Sequence, residues 1–217
     1  MNTRICAAVV AFVALTAGCT AEPAAAPQTS TPSTTTTAAP TPAELNERAK
    51  AAIAPPDAFA ARGGQVKTNT PATDAEIGDP SQAVALYCGG SQIHADGVSV
   101  ARSRLWTGRT TVFQQVHAMA DRPAAVLVKR LETGLAACAS TRSVEQLTTI
   151  AKPEGVDDFY AYCEATLDQT VAPFACYAYL GRGTLISEVI MFGQTKAEAG
   201  AELASVLPAF VPSFAKA

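Results

Sequence analysis

Six cysteines constrain this chain more than any other feature: Cys6, Cys19, Cys88, Cys138, Cys163 and Cys176. In a reducing cytoplasm they stay thiols, and a hydrophobic core alone must hold the fold. In an oxidising compartment an even number of them becomes cross-links. Which case applies is decided by the first twenty residues.

Arg4 is followed by an unbroken apolar run, ICAAVVAFVA, over residues 5–14, and then by small residues up to Gly18. A positive start, a short apolar core and a small-residue end form the layout of a secretory signal peptide. From Ile5 to Gly18 the apolar stretch is 14 residues, short of the roughly 18 needed to span a membrane as a helix. An uncleaved anchor is the alternative. Leu15-Thr16-Ala17-Gly18-Cys19 has the form of a bacterial lipobox. Ala17 and Gly18 fit a peptidase cleft, and Cys19 supplies a thiol to be alkylated. Thr16 stands where Leu is usual, three before the Cys. Cleavage there removes residues 1–18 and Cys6 with them. Acylation then sets Cys19 aside and leaves four cysteines, a number that can pair. A secreted product cut after Ala21 or Ala26 keeps the same four, so parity excludes only an exported chain with a free Cys19. A diacylglyceryl group brings two acyl chains, enough for stable anchoring. The expected location is the outer face of the cytoplasmic membrane, with the N-terminal lipid as the membrane contact.

Residues 19–40 are low-complexity Ala, Pro and Thr with no larger apolar side chain. They predict an extended linker, with or without O-linked sugar on the threonines. Residues 41–217 suit one domain with a real core. The formal charge is -3 with no basic cluster, which argues against nucleic acid as a partner. With 48% hydrophobic and 16% charged residues, the chain has the makings of a folded domain.

Thr41-Pro42-Ala43-Glu44 predicts a capped helix start running to about Ile53. Residues 59–80 read as loop with one short strand near 65–68. Residues 81–87 read as a short helix, capped by Asp79 or Ser81 and closed by Gly89-Gly90. Residues 97–106 and 110–119 read as a hairpin across Thr107-Gly108-Arg109. Asp121 is expected to cap a helix with Pro123 in its first turn, and Leu127, Leu131, Leu135 and Cys138 form its apolar stripe. Residues 143–152 read as either a strand or a short helix. Residues 159–166, 174–180 and 185–192 read as three strands, the last two joined at Gly181-Arg182-Gly183. Thr195 and Glu198 form a second capping box, and Pro208 should kink or end the final helix. The predicted class is α+β: a mostly antiparallel sheet of about five strands, helices packed on one face, stapled by two disulfides.

Four cysteines allow three pairings. The strand register favours one, because Cys163 and Cys176 are symmetric about Gln169-Thr170 and so face each other in a tight hairpin. That leaves Cys88 with Cys138. No C-x2-C spacing occurs and no His flanks the four, so a metal site is not expected.

The anchoring Cys, the Pro/Thr linker and a single four-cysteine domain resemble surface lipoproteins of mycobacteria and related actinobacteria. Within residues 88–217, the stretch 124–138 followed by a second Cys pair is similar to the extracytoplasmic sensor domain of the mycobacterial serine/threonine kinase PknH and its lipoprotein relatives. The resemblance implies a disulfide-stapled α+β domain with a cleft for a ligand.

Catalytic motifs are absent: no G-x-S-x-G elbow, H-E-x-x-H helix or phosphate-binding Gly loop occurs. No cofactor is implied. The two histidines, His94 and His117, have no motif around them, and a structural role is the plainer reading. Arg102 and Arg104, followed by Trp106 and with His117 on the facing strand, are the candidate ligand contacts. Arg offers a fork for an anion and Trp a face for a sugar. The plainer reading is a wet sheet face with Trp106 packed under a helix. The expected function is a non-enzymatic, ligand-binding or sensor-like lipoprotein of the envelope. Its ligand would be a small molecule, glycan or lipid. Alternatives are an envelope hydrolase with a dispersed site and a module that docks on another envelope protein.

Overall fold

The computed structural model describes residues 38–62, 65–66, 83–88, 91–108, 111–166 and 172–217. The signal peptide, Cys19, most of the linker, Asp79, Ser81, Arg109 and Gln169-Thr170 lie outside the described residues.

Thr41 opens helix α1, Pro42–Ala52, with both halves of the capping box formed. The Thr41 Oγ1 accepts from the Glu44 N–H at 3.3 Å, and the Glu44 carboxylate accepts from the Thr41 N–H at 2.7 Å. Leu45, Ala49 and Ala52 are its buried stripe. Two of the three are methyl-sized, so the helix lies close on the sheet.

Among the described residues nine strands follow: β1 Gln65–Val66, β2 Ala83–Tyr87, β3 Ser91–His94, β4 Ser99–Thr107, β5 Val112–Met119, β6 Glu145–Gln146, β7 Asp158–Ala165, β8 Phe174–Arg182 and β9 Leu185–Gly193. Seven form one antiparallel sheet in the order β1-β4-β5-β9-β8-β7-β6. Its five long strands are those the sequence pattern predicts, and β1 and β6 add two residues at each edge. The β4–β5 hairpin joins the β7–β8–β9 meander through β5 and β9.

Among the described residues, strands β2 and β3 pair only with each other. Residues 83–87 were expected to be helical and are a strand. The run AVALY is too short to show a helical period, and pairing with β3 decides the outcome.

Helix α2, Ala124–Arg142, carries the expected stripe of Leu127, Leu131 and Leu135, all buried. Asp121 does not cap it. Pro123 occupies the cap position without a side-chain bond, and the Ala124 N–H donates to the Gly183 carbonyl at 2.8 Å. The β8–β9 turn thus takes the place of a local cap. Helix α3, Lys196–Val206, is capped by Thr195, whose Oγ1 accepts from the Glu198 N–H at 3.1 Å. The returning Glu198 carboxylate takes the Gln194 N–H instead of that of Thr195. Pro208 ends α3 in a single 3-10 turn, Leu207–Ala209, before the short α4, Val211–Phe214.

Both expected disulfides are present. Cys163 and Cys176 face each other across β7 and β8 with Cα atoms 4.0 Å apart, and both are fully buried. Cys88 joins Cys138 with Cα atoms 6.1 Å apart, tying the end of β2 to α2.

The helices divide between the two faces of the sheet, rather than gathering on one. Helices α1, α3 and α4 cover the face carrying Val100, Trp106, Val116, Cys163, Cys176 and Val189. Helix α2 and the β2–β3 hairpin cover the face carrying Met119, Tyr162, Tyr179 and Ile186. The cause is the composition of β7 and β8. Small apolar residues alternate there with Tyr160, Tyr162, Tyr177 and Tyr179, so neither face can be left to water.

Candidate functional site

Arg102, Arg104 and Trp106 share the face under α1, and each holds the chain around that helix. Arg102 Nε donates to Asn46 Oδ1 at 2.7 Å. Arg104 Nη1 donates to the Ala54 carbonyl, and its guanidinium lies 5.8 Å from the Trp106 ring centre. Trp106 is buried, donates to the Pro56 carbonyl at 3.0 Å, and packs edge-on against Phe59 and Phe210. His117 is not with them. It pairs with Ala101 and Ile186, so it points to the opposite face of the sheet. His94 closes β3 at the start of the loop to β4.

The α2-covered face holds the unusual chemistry. Strand register sets Ser103, Gln115, Glu188, Tyr179 and Tyr160 side by side across five strands. Glu188 is buried, and the Tyr179 hydroxyl donates to its Oε1. Burial pushes the Glu188 carboxyl up to about 7, against the opposing pull of that bond. Burial, and then the neighbouring Glu188, hold the Tyr179 phenol well above its usual range. Tyr162 stacks on Tyr177 with ring centres 4.9 Å apart, and burial raises its phenol as well. His117 has no hydrogen-bond partner on either ring nitrogen among the described residues, and burial lowers it to about 4. Glu188, Tyr179, Tyr162 and His117 are thus buried groups whose charged forms are disfavoured.

An accessible concavity lies in the layer above that face. It is a groove of about 670 Å³ between the β2–β3 hairpin and α2. Tyr87, Gln92 and Ile93 form one wall, and the α2 residues from Ala125 to Gly134 form the other. Two cations reach it, Lys129 and Arg130. Lys129 Nζ pairs with Glu132 at 2.6 Å, and Arg130 Nη1 pairs with Asp96. The Arg130 bond holds the Asp96 carboxyl below its ordinary range. The width is set at Gly134, where a Cβ would lie 2.5 Å from the Tyr87 ring. The Cys88–Cys138 disulfide and a 3.1 Å bond from the Cys88 N–H to Glu164 clamp the hairpin down at that end. A smaller groove of about 410 Å³ lies between residues 150–153 and the α3–α4 corner. Neither groove includes Glu188 or His117 in its walls.

Sequence reasoning passed over both features. Glu188 stands alone in the apolar strand LISEVIMFG, and inward parity was the only signal for it. The groove's two walls are lined by residues far apart in sequence, Ile93 and Ala125 being the nearest across it, and Gly134 in mid-helix was its one local trace. Among the described residues no helix is long and apolar enough to cross a membrane, and no three His, Cys, Asp or Glu side chains gather as a metal site requires.

Comparison of the chain with protein-family models, with curated proteins and with solved structures finds no match in any of the three.

Proposed function

We propose that this chain is a lipid-anchored, extracytoplasmic ligand-binding module of the cell envelope, sensor-like and non-enzymatic, with the groove between the β2–β3 hairpin and α2 as its binding site. The groove is the observation that carries the reading. Its volume falls within the range of small-molecule sites, and it combines apolar walls with a few polar groups. One wall is a two-stranded ribbon that, among the described residues, has no strand partner in the main sheet. An occupant touching both walls would stabilise the hairpin against α2, which is how binding would be transmitted to a partner.

The anchor is argued from sequence: residues 15–19 as a lipobox, the Pro/Thr linker, and four remaining cysteines. Two disulfides in the described domain accord with an oxidising compartment. The likeness to actinobacterial surface lipoproteins belongs to the same proposal.

Mass spectrometry of the protein purified from its host membrane tests both parts. The expected result is a diacylglyceryl mass on an N-terminal Cys19 and a co-purified small molecule. An unmodified chain starting at residue 22 or 27 would contradict the anchor. A ligand-free protein that no envelope extract stabilises against heat would contradict the binding role, since an occupant at 100 times its Kd adds about 2.7 kcal/mol.

A further inference from the structure

We propose that the groove takes a single-chain amphiphile with a phosphate head, of the lysophospholipid class. This rests on the reading of the groove as the ligand site. Its α2 residues are Ala125, Val126, Lys129, Arg130, Thr133 and Gly134, a spacing that puts them on one helix face. They cover about 13 Å of helix and come in a definite order.

Ala125 and Val126 are first, with buried Ile93 reaching in from the hairpin. Val126 is 41% exposed, although Leu127 beside it is buried. The lining residues at this end are hydrocarbon. One turn further along stand Lys129 and Arg130. One turn beyond them, Thr133, with Tyr87 and Gln92 from the hairpin, supplies hydroxyl and amide groups. Apolar, cationic and neutral polar zones in that order match an acyl tail, a phosphate and a hydroxylated head.

The ion pairs at the centre leave room for such a ligand. A guanidinium has five donors and an ammonium three. Among the described residues Arg130 spends one bond on Asp96, and Lys129 one on Glu132. The side chains of both pairs are 42% to 73% exposed, so the pairs are weak and readily shared. Phosphate oxygens can take the remaining donors, and the planar Arg fork suits them. The disulfide at Cys88 and the Tyr87 ring against Gly134 fix the width at the polar end, while Val126 leaves the apolar end open for a tail.

The test uses the full chain carrying Cys19→Ala, exported and recovered without detergent. It is titrated by calorimetry with hexyl, octyl and decyl phosphate, with decanol, with inorganic phosphate, and with phosphatidylglycerol vesicles. Decyl phosphate is expected to bind, and each pair of fully buried methylenes to tighten binding by up to about fifteenfold. Decanol and inorganic phosphate should each bind at least about tenfold more weakly. Arg130→Gln should weaken decyl phosphate about tenfold, and Val126→Glu should weaken it further. Both variants should melt like the parent, because both side chains are exposed.

Equal affinity for decanol would overturn the proposal, as would decyl phosphate binding that neither variant changes, or binding to vesicles alone. If decyl phosphate fails while Val126→Glu strips a co-purified molecule of another class, the groove remains the ligand site and this ligand class is wrong. If nothing co-purifies and no member of the series binds, both readings fall.

Discussion

The two faces of the sheet are built on different principles. Under α1, α3 and α4 the polar groups are few and partnered. Gln114 accepts from the Ala54 N–H at 2.8 Å and donates to Ser187 at 3.1 Å, and Trp106 donates to Pro56. Arg102 and Arg104 lie there too, bonded to Asn46 and to the Ala54 carbonyl, and the core beneath them is hydrocarbon, aromatic and disulfide. Under α2 and the hairpin, four tyrosines, Glu188 and His117 share the space with leucine and isoleucine. Burial there disfavours the charged forms of Glu188 and His117, and the face sits beneath the larger groove. The contrast separates a dry scaffold from the side that carries the candidate site, and substitutions on the two faces should differ in kind.

The largest effect belongs to the dry face. Phe210→Ala or Trp106→Ala should cost about 3–5 kcal/mol, the range for truncating a fully buried aromatic, read as a shift in urea midpoint. Since Trp106 and Phe210 pack together with ring centres 5.7 Å apart, the double variant should lose less than the two single losses added. An additive result would mean that the aromatic cluster does not act as a unit.

The disulfides extend the contrast. Replacing Cys88 and Cys138 with Ala opens a 50-residue separation, and replacing Cys163 and Cys176 a 13-residue one. Loop entropy gives about 4 and about 3 kcal/mol. The first pair clamps the hairpin and should also abolish groove binding. The second lies under α3 and should leave the affinity of the folded protein unchanged. Loss of binding from the second pair alone would reverse the assignment of faces.

The polar face should reveal itself through pH. The Glu188 carboxyl sits near 7 in the fold against an ordinary 4.5. The folded chain therefore keeps a proton that the unfolded chain releases. Its contribution is complete below pH 4.5 and is lost as pH rises through 7. His117 sits near 4 against 6.5, so its contribution is complete above pH 6.5 and is lost as pH falls through 4. Each spans about 3 kcal/mol, and between pH 4.5 and 6.5 their slopes oppose. Relative to the parent, Glu188→Gln should lose stability toward acid, and His117→Phe should gain it. Urea midpoints at pH 4.5, 5.5 and 6.5 measure both, and parallel profiles for all three proteins would contradict the burial of these groups. The smallest effect is at the periphery, where Thr41→Ala removes a cap and should cost about 1 kcal/mol, seen as a slightly lower melting temperature.

Local chemistry made much of the scaffold legible. The Thr41 box, the Leu127–Leu131–Leu135 stripe, the facing Cys163 and Cys176 and the stop at Pro208 each follow from residues near one another in sequence. The failures share a cause. Residues 83–87 lacked a period and took their state from β3. The cap of α2 came from Gly183, some 60 residues away, while Asp121 stood in the right place to mislead. The split of the helices between faces depended on the tyrosines of β7 and β8, which read equally well as a wet side. The arginines at 102 and 104 looked like ligand contacts because a pattern cannot show that α1 lies over them. The groove residues carried no motif, since their shared property is a distance across two elements.

Hydrogen exchange on the protein purified from its host membrane, before and after its ligand is stripped, tests the division of faces most directly. The ligand should protect residues 83–94 and 124–134 and leave α1 and α3 unchanged. Protection beneath α1 and α3, or none in the hairpin, would contradict it.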